Sequence, residues 1–180
     1  MKIKAILTCV LLCVTAAGFA QSLEDEYTMK SVFIAGFGRF VTWPEISRMN
    51  DKSKPFVLGI IGVNPFGKIL ENHYSALNQT INDKNVEIRY ISTLDKIAGC
   101  HILFISSSCK SYLTDILAVT SNKPILTIGD TEGFAEQGVL INFYIQRRRI
   151  RFEINEALFQ KASLKIDSLI LREATIVKSK

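Results

Sequence analysis

Two histidines are the residues best suited to catalysis or metal binding in this chain. His73 lies in a polar stretch, and His101 opens an apolar run. Metal sites need several converging His, Cys or carboxylate ligands, and nucleophilic catalysis needs a nucleophile beside an oriented base. The sequence shows neither pattern, so we expect no catalytic residue, no metal and no cofactor. We interpret both histidines as structural.

Two further positions could belong to a ligand site. Gly59 and Gly62 lack the third glycine and the downstream acid of a dinucleotide site, so we interpret them as packing or turn positions. Asp130 follows a strand-like run that ends at Gly129, where an open α/β sheet presents groups to ligands. The alternative for this carboxylate is to cap the turn before Gly133, since Asp favours turns.

The densest charge cluster is formed by four arginines. Arg147, Arg148 and Arg149 are consecutive, and Arg151 alternates onto the face of Arg149. A solvated hairpin tip is one interpretation, because charge runs usually face water. The other is a basic patch that holds a small anionic ligand or an acidic partner surface through bidentate hydrogen bonds. Trp43, the single tryptophan, is a candidate for the core or for a protein interface.

Cys100 and Cys109 are the candidate redox thiols. They flank a strand-like run, and a strand rises roughly 3.3 Å per residue, which places their sulfur atoms beyond bridging distance. We therefore expect no disulfide within one molecule, with the thiols either free or paired between molecules.

The first 20 residues match a secretory signal peptide. Residues 1–4 are basic, residues 5–16 are almost purely apolar, and residues 18–20 end the segment with small side chains. The alternative is a membrane anchor, for which the uncharged run is at the lower length limit. We expect cleavage after residue 20 and a mature exported domain over residues 21–180.

Composition favours one globular domain. The 180 residues are 48% hydrophobic and carry 22 Lys and Arg against 17 Asp and Glu. Loss of the signal with its two lysines would leave 20 basic residues against 17 acidic ones. So small a surplus argues against nucleic acid as a partner.

The positions of these residues depend on alternating helix and strand patterns. Helical spacing covers residues 24–41, and apolar runs predict strands at 56–62, 86–90, 101–105 and 125–128. Helices are predicted to begin at Asn64-Pro65, around Asp95 and near Tyr112. Such alternation implies a largely parallel sheet.

The pattern changes after Gly138. Alternation over 139–146 and 150–154 predicts a β-hairpin, and Asn155 and Asp167 or Ser168 can cap two final helices. We therefore predict a single three-layer α/β domain with a largely parallel central sheet and a C-terminal β-hairpin followed by helices.

Four ordered blocks of the sequence together carry a family resemblance. The first block runs from Tyr27-x-x-Lys30-Ser31-Val32-Phe33-Ile34 through Arg39-Phe40-Val41 to Trp43-Pro44. The second is Gly59-Ile60-Ile61-Gly62-Val63-Asn64-Pro65-Phe66-Gly67, and the third is Cys100-His101-Ile102-Leu103-Phe104-Ile105. The fourth runs from Ile125-Leu126-Thr127-Ile128-Gly129-Asp130 through Phe134-Ala135 and Gly138 to Arg151-Phe152-Glu153-Ile154-Asn155.

Taken together, these blocks resemble the YfiR-like family of exported bacterial regulatory proteins. The resemblance implies a periplasmic, non-enzymatic regulator. Its expected partner is an inner-membrane signalling protein: a diguanylate cyclase that it represses, with effects on cyclic di-GMP and biofilm, or a sensor kinase. The alternative is a small-molecule binding module that serves a sensor kinase or an outer-membrane receptor. A homodimer is left open. The family's type member resembles a redox sensor with two disulfides, whereas here only Cys100 lies in a matching motif.

Overall fold

The structure is a computed structural model that describes residues 24–76 and 79–179. The predicted signal peptide lies outside the described residues. Helix α1 covers residues 24–40. The other α-helices in the described residues are α2 (Ile69–Glu71), α3 (Leu113–Thr120), α4 (Phe134–Gln137), α5 (Glu156–Lys161) and α6 (Ser168–Glu173). Short 3-10 helices cover Glu45–Ser47, Leu94–Ile97 and Ser107–Tyr112, and a π-helical segment covers Asn72–Ala76. No helix in the described part of the chain is long and apolar enough to cross a membrane.

Within the described residues, ten strands form two sheets. The strands are β1 (Val41–Thr42), β2 (Phe56–Ile61), β3 (Thr80–Ile81), β4 (Lys84–Ile91), β5 (Ile102–Ile105), β6 (Leu126–Gly129), β7 (Ile141–Gln146), β8 (Arg149–Ile154), β9 (Lys165–Ile166) and β10 (Thr175–Ile176). The large sheet has the order β10-β8-β7-β6-β5-β2-β4-β3, and β1 pairs with β9. Only β3 with β4 and β7 with β8 are antiparallel in the large sheet, which confirms the predicted, largely parallel architecture.

Side chains of the central strands alternate between two apolar cores. Ile102 and Phe104 of β5 pack in the core beneath α1, whereas Leu103 and Ile105 pack in the core beneath α3. Because successive side chains of a strand point to opposite faces, one buried strand supplies both cores. The predicted three-layer arrangement is confirmed.

The two asparagines predicted to begin helices do not cap a helix with their side chains. Asn64 does not begin a helix: its Oδ1 accepts a hydrogen bond of 2.9 Å from the Phe66 N–H, and α2 starts only at Ile69. This is an Asx turn, in which the side chain stabilises a loop. Asn155 precedes α5 as predicted, but its Nδ2 donates to the Ala135 carbonyl, 3.0 Å away, instead of the side chain capping the helix.

Candidate partner-docking surface

The outer side of α1 carries an exposed apolar stripe. Met29, Val32 and Phe40 are 51%, 50% and 42% exposed, whereas Ile34 and Phe37 on the opposite side are buried. A helix that is apolar on both sides normally lies between two layers. Here the described residues cover one side only. The sequence pattern placed all of these residues in one helix but could not show which rows would be covered.

A groove of about 320 Å³ lies along this stripe. It is bounded by α1, the edge of β8 and α6, and its lining includes Gly36, Ile150 and Ile170. A Cβ atom placed on Gly36 would have no neighbour within 4 Å. The middle of α1 therefore exposes its backbone at the bottom of an open groove.

Four phenylalanines fix α1 to the β7-β8 hairpin. The ring of Phe37 lies 5.8 Å from that of Phe143 and 5.1 Å from that of Phe152. The ring of Phe33 lies 6.0 and 5.8 Å from the same two rings. Such offset and edge-on contacts add to the stability that burial provides. We infer that the helix and the hairpin present one rigid surface.

The four arginines lie on this hairpin. Arg147 and Arg148 form its two-residue turn with φ angles of 50° and 62°, and Arg149 and Arg151 lie opposite Gln146 and Tyr144. All four arginines are exposed, and none forms an ion pair with a carboxylate of the described residues. Arg151 also lines the groove. Glu173 lines the groove as well, so the surface combines an apolar groove with a margin of four arginines and one carboxylate. The two interpretations of the cluster both remain open.

Asp130 belongs to a buried polar network on α1. Its carboxylate accepts hydrogen bonds from Lys30 Nζ at 2.8 Å and from the Tyr27 hydroxyl at 2.9 Å. Lys30 also pairs with Glu26 at 2.6 Å, and the side chains of Lys30 and Asp130 are only 4% and 6% exposed. Burial, followed by the charge of Asp130, raises the pKa of Tyr27 and keeps its hydroxyl protonated. Asp130 thus holds α1 against the end of β6.

Trp43 lies in the core and is removed from the candidate surface. It is 7% exposed, and its ring meets that of Phe56 edge-on at 5.5 Å. The sequence left the core and a protein interface open for Trp43, because it follows the amphipathic helix. The chain instead turns inward there through β1.

The two cysteines are buried free thiols at opposite ends of β5. Cys109 Sγ donates to the Ile61 carbonyl at 3.3 Å. Burial raises the pKa of the Cys100 thiol to about 11. Because the thiolate is the reactive form, Cys100 is poorly suited to redox chemistry in the folded protein.

His101 is held by the backbone on both ring nitrogens. Nδ1 accepts from the Val57 N–H at 3.0 Å, so the proton lies on Nε2, which contacts the Ser47 carbonyl at 3.1 Å. Burial lowers the pKa of His101. Among the described residues, no group of three or more His, Cys, Asp or Glu could hold a metal ion.

Comparison with known families decides the relationship. The pattern of the YfiR/HmsC-like family matches residues 27–175. The chain belongs to this family. The YfiR/HmsC-like match extends from Tyr27 of the buried network to the beginning of β10, so it includes α1, the groove and the arginine hairpin.

Other comparisons add little. No curated protein matches the sequence. Among solved structures, the chain is similar to the ABC domain in complex with L-Trp from Streptococcus pneumonia, with 13% identity and a TM-score of 0.48. The alignment covers 67% of this chain and 55% of that structure, so the chain spans about half the length of its neighbour. A similarity of this size carries no argument here.

Proposed function

We propose that the protein is a periplasmic regulator that represses or modulates an inner-membrane diguanylate cyclase by direct contact. The YfiR/HmsC-like family suggests a periplasmic regulator of such a cyclase, and the family is regulatory and non-enzymatic. Cyclic di-GMP and biofilm control would then lie downstream. A sensor kinase of the inner membrane is the alternative partner.

The exposed stripe of α1 is the observation that carries this proposal. Three large apolar side chains, Met29, Val32 and Phe40, line or border one groove while remaining roughly half exposed. Contiguous exposed apolar surface rimmed by polar groups is typical of protein interaction sites. Burial of this stripe by a partner would supply the apolar centre of an interface.

The arginine hairpin adds charge selectivity to the stripe. Arginine is enriched at interfaces, and its planar group binds carboxylates in a bidentate manner. We therefore propose that the partner presents an apolar segment next to acidic side chains. Contacts with Arg149 and Arg151 would guide association and make it sensitive to salt.

The direct test replaces the centre of the stripe with a charge. Val32→Glu should weaken binding to the periplasmic segment of the proposed inner-membrane cyclase by at least about tenfold, because the interface would then bury an unpaired carboxylate. The matched control is Val63→Glu, since Val63 is 70% exposed and lies outside the groove. Calorimetric titration measures the affinity, and circular dichroism confirms folding.

A second pair of variants tests the charged margin. Arg149→Ala with Arg151→Ala should slow association and reduce its salt dependence, with little change in stability, because both side chains are exposed. If folded Val32→Glu binds as tightly as the control, α1 is not the docking surface. If Val32→Glu weakens binding but the double arginine variant binds like the unmodified protein, the arginine cluster is a solvated turn.

A second candidate function is the binding of a small molecule for a sensor kinase or an outer-membrane receptor. A separate cavity favours it, and this cavity lies where the central strands β2, β5 and β6 begin.

A further inference from the structure

A second cavity lies where strands β2, β5 and β6 begin. Its volume is about 740 Å³, within the range of about 300–1,000 Å³ that is common for small-molecule sites. It shares no lining residue with the α1 groove. Any role for this cavity is therefore independent of the docking surface proposed above.

The cavity has an apolar floor. Side chains without charge cover its inner part, among them Pro55, Val57, Cys100, Pro124 and Ile125. Val57, Cys100 and Ile125 are buried residues of the core beneath α3. An apolar group that entered the cavity would therefore meet a rigid, preformed surface.

The rim of the cavity carries unbalanced positive charge. Arg48, Lys54 and Lys123 line it, are exposed, and form no ion pair with a carboxylate in the part of the chain that the structure describes. The single acid of the lining, Glu87, is already bound by Arg89, whose Nη2 and Nε lie 2.8 and 2.9 Å from its carboxylate. Asp51 of the same loop lies outside the lining but attracts Lys54 electrostatically. The opening therefore carries more cations than carboxylates, with Arg48 and Lys123 outside any ion pair of the described residues.

The loop that carries two of these cations is fixed from below. Lys84 is buried and forms no ion pair in the part of the chain that the structure describes. Its Nζ donates to the carbonyls of Arg48, at 3.3 Å, and of Asp51. His101 holds the Ser47 carbonyl of the same loop. Burial of a lysine is costly unless its donors form hydrogen bonds, and here the donors of Lys84 bind carbonyl groups of the loop backbone. A rim that is ordered in advance lowers the entropic cost of binding.

We propose that this cavity binds a small organic anion that has an apolar body and one carboxylate or phosphate group. The apolar body lies on the floor, and the anionic group lies at the rim among Arg48, Lys54 and Lys123. The Arg48 guanidinium is suited to bidentate hydrogen bonds, and the two lysines act as point charges. A molecule that has only the anionic group would contact the rim alone, and a molecule that has only the apolar body would contact the floor alone.

Phenyl phosphate is a simple probe of this two-part chemistry. Calorimetric titration of the mature protein at low salt should show that phenyl phosphate binds at least about tenfold more tightly than inorganic phosphate or phenol. The double variant Lys54→Glu with Lys123→Glu should lower the affinity at least about tenfold. Ala98→Trp, which fills the cavity without a change of charge, should lower it as well.

A matched control separates the rim from net charge. Lys110→Glu with Lys165→Glu makes the same charge change at two exposed lysines outside the cavity, and it should retain the affinity of the unmodified protein. If phenyl phosphate binds no more tightly than inorganic phosphate, the proposal is wrong. Equal weakening in the control, or full affinity in folded Ala98→Trp, would also place binding elsewhere. These results are independent of partner docking on α1.

Discussion

Replacement of a glycine of α1 by alanine should have opposite effects on stability at Gly36 and at Gly38. Gly36 lies on the groove side, and a Cβ atom there would have no neighbour within 4 Å. At Gly38 the Cβ atom would lie 2.9 Å from Cγ2 and 3.1 Å from Cδ1 of Ile81, which is closer than packed carbon atoms tolerate. One helix therefore provides both the test and its control.

The magnitudes follow from backbone entropy and packing. Alanine is favoured over glycine within a helix by roughly 0.5–1 kcal/mol, so Gly36→Ala should stabilise the protein by about that amount. Gly38→Ala gains the same helix propensity but overpacks the buried Ile81, which typically costs about 1–3 kcal/mol. We expect the free energies of unfolding of the two variants to differ by roughly 1–3 kcal/mol.

Urea denaturation followed by circular dichroism measures this difference. A destabilising Gly36→Ala would show that the groove is filled in the folded protein and would contradict the open groove. A third variant, Gly36→Trp, tests partner binding. Its side chain should fill the groove and abolish docking while the protein stays folded. A stable helix that tolerates alanine at Gly36 but loses its partner with tryptophan would show that the open groove serves binding.

Two further predictions concern buried groups. Lys30→Met should cost about 3–5 kcal/mol of stability in urea denaturation, because it leaves the carboxylate of Asp130 buried without its cation, and a loss below about 1 kcal/mol would contradict this. Addition of Asp130→Asn to that variant should restore part of the loss. Burial lowers the pKa of His101 below 6.5, so the unfolded chain takes up a proton before the folded one, and stability should fall as the pH drops below about 6.5. The pKa of His73 is lowered as well, but His73 is less buried than His101. His101→Gln should therefore flatten the pH dependence of stability more than His73→Gln. Equal slopes in the two variants would show that His101 does not cause this pH dependence.

The sequence was informative wherever the signal is local. Apolar runs bounded by turn residues gave the central strands, and the period-two alternation after Gly138 gave the β7-β8 hairpin with Arg147 and Arg148 at its turn. These patterns arise from neighbouring residues in the chain. They could therefore be interpreted without knowledge of the tertiary structure.

Features that depend on distant partners were not predictable. Lys30 and Asp130 are 100 residues apart, and nothing in either segment indicates that one neutralises the other. The short pairs of β1 with β9 and of β10 with β8 join only two residues each, too few for a periodic signal. Helical spacing likewise cannot show that the row of Met29 and Val32 remains uncovered, because coverage depends on which other elements pack against α1.

The two hairpin turns of the sheet show which arginines the fold itself does not require. The turn between β3 and β4 uses Asn82 and Asp83 at φ angles of 51° and 61°, and such residues tolerate the left-handed region well. The turn between β7 and β8 places Arg147 and Arg148 in the same region at 50° and 62°, where a long side chain gains nothing from the backbone. Backbone geometry therefore favours other residues at the two positions where this chain places Arg147 and Arg148. We therefore predict that Arg147→Asn with Arg148→Gly leaves the turn at least as stable in urea denaturation, and that the double variant binds the partner more weakly if the hairpin borders the docking surface. Unchanged binding would leave the solvated turn as the interpretation of the cluster.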